Sequence, residues 1–182
     1  MGKRSNFKKV NKDLYRTIDP KAARILLPYL GGVRSFVEPF AGSGDLVGPF
    51  LRAGLDCKAR YDIQPRYRMV EKRDVLSLEI EDLKGAEAII TNPPWSRDRA
   101  SGYLLHRIID HLRVMVPTWL LFDADWAYTG QSEPYMRYCS LIVPVGRLRW
   151  IPGTTTKGKD NCSWYFFQKD EAEIRQFEKV AA

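Results

Sequence analysis

The stretch from Ala88 to Trp95, with the sequence AIITNPPW, most constrains what this chain can fold into. Its apolar residues are typical of the end of a buried strand, and the two prolines after Asn92 stop that strand. Because Pro93 and Pro94 lack N–H groups and have fixed φ angles, the backbone there is stiff and its carbonyl groups point in fixed directions. In open α/β sheets, ligands bind at the carboxyl ends of the strands. The pattern therefore predicts a platform for a planar, nitrogen-bearing group, the alternative being a plain strand-ending turn with a surface tryptophan.

Strand-like and helix-like segments alternate along the rest of the chain. Strands are predicted at residues 35–37, 57–61, 70–73, 86–90, 117–122, 140–145 and 163–167. Helices are predicted at residues 20–30, 46–53, 76–83, 103–114, 134–138 and 171–180. Asp19 caps the first of these in the prediction, with Pro20 at its first position. The alternation predicts an α/β fold with a mostly parallel seven-stranded sheet, one antiparallel strand from a final hairpin-like pair, and helices on both faces.

Length and charge narrow the class of protein. The 182 residues favour one domain at 15–182 preceded by a flexible basic arm at 1–14, with no separate recognition domain. A net charge of +7 favours a polyanionic partner, because phosphate neutralisation releases counterions. No apolar run approaches the ~20 residues of a membrane span. The three cysteines form neither a disulfide framework nor a metal set, so we expect a cytoplasmic protein without a metal site.

Small and acidic residues follow the first three predicted strands. They are Glu38, Ala41, Gly42, Gly44, Asp62 and Asp74. A glycine-rich turn with an acid about 20 residues later is typical of dinucleotide sites, in which the acid accepts hydrogen bonds from ribose hydroxyls. Val47 stands where the third glycine of that signature would lie, which disfavours a pyrophosphate ligand. The pattern therefore favours a cofactor that carries adenosine but no phosphates.

Two of these segments resemble motifs of the S-adenosylmethionine-dependent amino-methyltransferases of the Rossmann-like class. Residues 36–44, FVEPFAGSG, are similar to the family's cofactor loop, and Asn92–Trp95 is similar to its catalytic Asn/Asp-Pro-Pro-aromatic motif. The likeness covers about residues 15–168 and is strongest to small phage-type DNA adenine N6-methyltransferases. It implies S-adenosylmethionine as the cofactor. The cofactor-binding residues that it implies are Thr17, Glu38, Pro39, Phe40, Ala41, Gly42, Gly44, Asp62, Ile63, Asp74 and Asn92.

The resemblance makes Asn92, Pro93, Pro94 and Trp95 the candidate catalytic residues. An exocyclic amine is a weak nucleophile because its lone pair is delocalised into the ring. The side-chain oxygen of Asn92 and the carbonyl of Pro93 can each accept one N–H of that amine and aim its lone pair at the methyl donor. Trp95 is expected to stack on a base that has been extruded from its helix. The methyl group then moves by direct displacement, which depends mainly on positioning.

Aromatic and basic side chains predict the nucleic-acid contacts. These candidates are Trp95, Trp126, Arg147, Arg149, Trp150, Lys157 and Lys159. Core packing is the alternative for Trp126 and Trp164, and a solvated loop is the alternative for the basic residues. The predicted substrate is the N6 amine of adenine in single- or double-stranded DNA, because cytosine N4 activity in this family goes with Ser-Pro-Pro. The alternatives are methylation of RNA adenine or of a protein glutamine, and a non-catalytic nucleic-acid-binding or partner subunit.

Overall fold

A computed structural model describes residues 16–95 and 103–172 of the chain. The predicted basic arm at 1–14 lies outside these residues, as does most of the predicted helix at 171–180. Within the described part of the chain, no helix is long and apolar enough to cross a membrane.

Seven strands form a single sheet. They are β1 (Ser35–Glu38), β2 (Asp56–Asp62), β3 (Glu71–Lys72), β4 (Ala88–Thr91), β5 (Thr118–Asp123), β6 (Cys139–Gly146) and β7 (Cys162–Phe167). Their order across the sheet is β3-β2-β1-β4-β5-β7-β6. The first five strands in that order pair in parallel, and β7 is antiparallel to both β5 and β6. This arrangement confirms the predicted mostly parallel seven-stranded sheet.

The helices are shorter than predicted. They are α1 (Lys21–Leu26), α2 (Val47–Arg52), α3 (Leu104–Arg113) and α4 (Glu133–Met136). The first helix gives way to a 3₁₀ turn at Leu27–Tyr29, because Pro28 cannot donate the hydrogen bond that an α-helix needs there. The helix predicted at 76–83 is instead two 3₁₀ turns, Val75–Ser77 and Ile80–Leu83. Local hydrogen bonds to Asp74 compete with a continuous helix at this point.

Helices cover both faces of the sheet, as the alternation predicts. Strand β4 shows this most clearly, because all four of its residues are buried. Ile89 packs on one face with the apolar side of α3, and Ala88 and Ile90 pack on the other face with α1 and α2. A strand buried on both faces reads as a continuous apolar run, which is why the segment before Asn92 lacks an alternating pattern.

The chain changes direction across the sheet between β1 and β4. The crossovers from β1 lead outward through β2 to β3, whereas those from β4 lead the opposite way to β5. A crevice forms outside the carboxyl ends of strands at such a switch point. The glycine-bearing turn after β1 and the Asn92–Trp95 segment after β4 therefore face one another across this crevice.

Candidate active site

A cavity of about 1070 Å³ lies at the carboxyl ends of β1, β2 and β4. Most of the residues that the sequence predicts for the site line it. They are Thr17, Glu38, Pro39, Phe40, Ala41, Gly42, Asp62, Ile63, Asp74, Asn92, Pro93, Pro94, Trp95, Trp150 and Lys159. The cavity thus joins the two motifs, which are far apart in the sequence.

Asp62, the last residue of β2, holds the glycine-bearing loop in place. Its Oδ2 accepts the N–H of Gly42 at 2.8 Å, and its Oδ1 accepts the N–H of Gln64 at 2.7 Å. Gly42 has a φ of +47°, a conformation that favours glycine. Each carboxylate oxygen has a second lone pair, so Asp62 can still accept hydrogen bonds from a ligand. Gly44 does not line the cavity and instead shapes the turn, with a φ of +79°.

Glu38 lies at the end of β1 with a side chain that the described residues do not satisfy. The residue is 2% exposed, and its Oε2 has no hydrogen-bond partner in the described part of the chain. Burial raises the pKa of this carboxyl well above its usual value, and the nearby Asp62 and Asp45 carboxylates raise it further. A buried acceptor without a partner is costly, so the site is suited to a cationic or hydrogen-bond-donating ligand.

Apolar groups line the cavity beside these carboxylates. Ile63 lines the cavity, and the residue is 57% exposed. Val75 and Leu76 line it from the first 3₁₀ turn after β3, which Asp74 begins by accepting the N–H of Leu76 at 3.0 Å. Val75 and Leu76 are not among the predicted site residues, although their position directly after a predicted strand-end acid could have indicated them.

Asn92 directly follows β4, and both the nitrogen and the oxygen of its side-chain amide are hydrogen-bonded. Its Nδ2 donates to the Oγ1 of Thr17 at 2.9 Å, and its Oδ1 accepts from the Nε1 of Trp95 at 2.8 Å. The indole N–H of Trp95 also lies 3.2 Å from the carbonyl of Leu121. Trp95 is half-buried, and its nitrogen-bearing edge faces into the protein. Thr17 is therefore hydrogen-bonded to Asn92, the residue that the sequence predicts to bind the target amine.

Arg16 contacts both the turn after β1 and the loop between β6 and β7. The guanidinium of Arg16 donates two hydrogen bonds to Asp45, at 2.7 and 2.6 Å, in the turn after β1. The backbone N–H of Arg16 donates to the carbonyl of Trp150 at 3.3 Å. Arg16 and Asp45 both line the cavity, and sequence reasoning missed them because neither belongs to a local motif.

The basic loop between β6 and β7 reaches the cavity only in part. Lys159 lines the cavity, whereas Arg147 and Lys157 are exposed outside it. Arg149 does not line it either, since Asp19 accepts its backbone N–H at 3.2 Å and its Nε at 3.4 Å. Burial raises the pKa of Asp19, but the hydrogen bonds from Lys21 and Arg149 outweigh it and lower the pKa overall. The loop thus anchors itself to the start of α1.

The structure corrects the prediction that Trp126 contacts a substrate. Trp126 is 7% exposed and donates from its Nε1 to the Nε2 of His106 at 3.2 Å within the core. Trp164 is fully buried and donates to the carbonyl of Ala22 at 2.9 Å. Both rings satisfy their N–H groups internally, as buried tryptophans usually do, so core packing is the correct interpretation for each.

Four further charged residues that were not predicted also line the cavity, namely Arg66, Arg107, Asp123 and Asp160. Asp123 ends β5, so the rule that strand ends carry ligands could have indicated it. Arg107 projects from the first turn of α3, and nothing in its local sequence separates it from an ordinary surface arginine. The cavity therefore carries both positive and negative groups along its wall.

No protein-family model matches the chain, and no curated protein matches it. Solved structures do match. One is assigned to the class I S-adenosylmethionine-dependent methyltransferases from Listeria monocytogenes, with 12% identity, a TM-score of 0.57, and coverage of 94% of this chain and 66% of that one. Another is a candidate RNA methyltransferase from Pyrococcus horikoshii, with 16% identity, a TM-score of 0.59, and coverage of 91% and 93%.

A third similar structure is the modification subunit of a candidate type I restriction enzyme from Vibrio vulnificus. It shares 11% identity with a TM-score of 0.57, and the match covers 87% of this chain and 45% of that one. The chain thus spans about two thirds of the first of these structures and less than half of the third. The chain has the Rossmann-like α/β fold of these methyltransferase structures, which confirms the predicted fold class.

Proposed function

We propose that this chain is a methyltransferase that uses S-adenosylmethionine to methylate the exocyclic N6 amine of adenine in DNA. The observation that carries the proposal is the cavity that the loop after β1 and the Asn92–Trp95 segment line together. Ligand pockets typically measure about 300–1,000 Å³. A cavity of about 1070 Å³ has room for a cofactor and a target base side by side.

The residues along β1 to β3 fit S-adenosylmethionine. The Oε2 of Glu38, which has no hydrogen-bond partner among the described residues, is suited to the ammonium of its methionine group. Asp62 and Asp74 retain acceptor capacity for ribose hydroxyls, and Ile63 offers an exposed apolar surface to the adenine ring. The bound cofactor supplies an electrophilic methyl group on a sulfonium centre. Because no phosphate-binding loop is required for this ligand, Val47 in place of a third glycine does not weaken the fit.

On the substrate side, Asn92 and Pro93 supply the acceptors that a target amine needs. The Oδ1 of Asn92 uses one lone pair for Trp95 and retains the other for an amine N–H. The carbonyl of Pro93 accepts the second N–H, so the nitrogen lone pair points towards the methyl group. Among the described residues, no cysteine lines the cavity, which suits direct transfer without a covalent enzyme intermediate.

Nucleic acid is the substrate class that the charge supports. The chain carries a net charge of +7, and Arg66, Arg107 and Lys159 line the cavity. Basic groups beside an aromatic ring such as Trp150 suit phosphates and stacked bases. The similarity to a restriction-enzyme modification subunit favours DNA. The similarity to an RNA methyltransferase structure, most of whose length the match covers, makes RNA adenine the second candidate.

Product analysis tests this proposal. The protein is incubated with methyl-labelled S-adenosylmethionine and, separately, with DNA, RNA and a protein extract, and the products are identified by mass spectrometry. We expect label in N6-methyladenine from DNA, with binding that weakens steeply as salt rises. Label only in RNA or only in methylglutamine would refute DNA as the substrate, and no transfer to any of them would refute the activity.

The variant Asn92→Ala separates binding from chemistry in the same experiment. Losing a positioned polar group of this kind commonly costs on the order of 10²–10³ in rate. We expect Asn92→Ala to lose that much in single-turnover rate while keeping most of its affinity for the cofactor. Equal rates for the two proteins would remove Asn92 from the catalytic role.

A further inference from the structure

A chain of side-chain contacts runs from the basic loop to Asn92. It starts at Gly158, whose backbone N–H donates to the carbonyl of Leu148 at 2.7 Å. This hydrogen bond joins the two sides of the loop between β6 and β7. A Cβ at position 158 would lie only 2.6 Å from the Nε1 and 2.8 Å from the Cδ1 of Trp150. Real Cβ atoms do not approach ring atoms this closely. Glycine at this position is therefore what allows the Trp150 ring to lie against the loop.

The Trp150 ring in turn packs against Trp95. The two ring centroids are 5.4 Å apart and the rings are nearly perpendicular, at 84°. This is a favoured edge-to-face arrangement for aromatic pairs. Trp95 also packs against buried residues on both faces of the sheet. Its indole N–H is left pointing at the Oδ1 of Asn92.

The indole N–H determines which way the Asn92 amide faces. The hydroxyl of Thr17, which contacts the other end of the amide, can donate or accept and so tolerates either orientation. An indole N–H can only donate. Turning the amide over would place its NH₂ group against this N–H, with two donors facing one another. Trp95 therefore selects the orientation in which the oxygen lies on its side and retains one free lone pair.

We propose that Trp95 is a positioning residue that sets the amide orientation of Asn92, and that Trp150, seated on Gly158, holds Trp95 in place. This inference rests on the proposed function, in which Asn92 binds the target amine. It adds to the stacking role predicted for Trp95, since it uses the nitrogen-bearing edge of the ring and not its face. It also gives Gly158 and Trp150 a task in the transfer step beyond contact with the nucleic acid.

The variant Trp95→Phe separates positioning from stacking, because it keeps an aromatic face and removes the N–H. A hydrogen bond of ordinary strength corresponds to a loss of roughly tenfold in kcat. We expect that loss with KM for DNA and Kd for S-adenosylmethionine within about twofold of the wild-type values. An unchanged kcat, or a change confined to KM for DNA, would overturn the positioning role and leave stacking alone.

The variant Gly158→Ala tests the outer part of the contact chain, with Gly130→Ala as its matched control. A Cβ at Gly130 meets nothing within 4 Å, and Gly130 does not line the cavity. We expect Gly158→Ala to lower kcat in the same way as Trp95→Phe and Gly130→Ala to leave it unchanged. Equal activity of the two alanine variants would show that Trp150 does not hold Trp95.

A nuclear magnetic resonance measurement makes the test independent of activity. The indole N–H signal of Trp95 is assigned by its loss in Trp95→Phe. We expect this signal to move in both Asn92→Ala and Gly158→Ala and to stay in place in Gly130→Ala. An unmoved signal in Asn92→Ala or Gly158→Ala would refute the contact chain. A wild-type protein that methylates no substrate would refute the proposed function and not the contact chain.

Discussion

Replacing Asp62 by alanine should affect cofactor affinity and the stability of the loop after β1 as two separate quantities. Both oxygens of this carboxylate accept backbone N–H groups, from Gly42 and from Gln64. The same oxygens are the proposed acceptors for ribose hydroxyls. One substitution therefore removes two bonds within the protein and the proposed bonds to the ligand.

The magnitudes follow from the contacts. A hydrogen bond to a charged group contributes about 1.5–3 kcal/mol, so losing the ribose contact should raise Kd for S-adenosylmethionine roughly 10- to 150-fold. The two freed N–H groups lie at an open cavity, where water can replace the lost acceptor. We therefore expect only about 2 kcal/mol of lost stability, which lowers Tm by about 4–8 °C for a chain of this size.

Calorimetric titration measures the affinity, and thermal unfolding followed by circular dichroism measures the stability. Asp56→Ala is the matched control, because Asp56 lies on the same strand with a side chain that is 62% exposed and pairs only with Lys58 among the described residues. We expect the control to change neither quantity appreciably. A folded Asp62→Ala protein with wild-type Kd would remove Asp62 from the cofactor site. A wild-type Tm would show that Asp62 does not hold the loop.

Charged groups at the cavity give three further predictions. Because burial raises the pKa of Glu38, its carboxyl group in the free protein keeps a proton at pH values where a glutamate is normally charged. Binding of an ammonium group requires the carboxyl group to lose that proton. Cofactor affinity should therefore rise with pH through this raised pKa, and Glu38→Gln should flatten the dependence; an equally steep profile in that variant would exclude Glu38. The same shift means that the stability contributed by Glu38 is present below its usual pKa and is lost as pH rises through the raised one. Arg16 and Asp45 form a bidentate pair with side chains 40% and 20% exposed, so a double-mutant cycle with alanine should give a coupling of only about 0.2–1 kcal/mol. Strictly additive changes in the free energy of unfolding would show that this pair is not coupled.

Much of the fold could be predicted because its determinants are local. Strands β1, β4 and β5 are buried apolar runs that end at an acidic residue or just before the Asn92–Pro93 pair, which makes them recognisable in the sequence. Strand β3 lacks this pattern, because it consists only of the exposed residues Glu71 and Lys72. The errors in the predicted helix lengths also have local causes. Pro28 shortens α1, and the hydrogen bonds of Asp74 replace a predicted helix with 3₁₀ turns.

Site residues that lie at strand ends or in sequence motifs could be predicted, as Asp62 and Asn92 show. A site residue could not be predicted where its partner is remote in sequence. Arg16 and Asp45 are 29 residues apart, and nothing near either residue indicates the other. The prediction for Trp126 failed for the same reason, since its burial depends on packing around His106, which no local pattern indicates.

The site joins its two halves through a single peptide unit. Arg16 binds Asp45 in the loop after β1, and the adjacent Thr17 binds Asn92 after β4. Consecutive Cα atoms are about 3.8 Å apart, so one short segment contacts both the loop after β1 and the segment after β4. A misplacement of about 1 Å can cost on the order of 10²-fold in rate when two reactants must meet in line. Residues 16 and 17 therefore contact both segments that build the proposed cofactor and amine sites, although these segments are distant in the sequence.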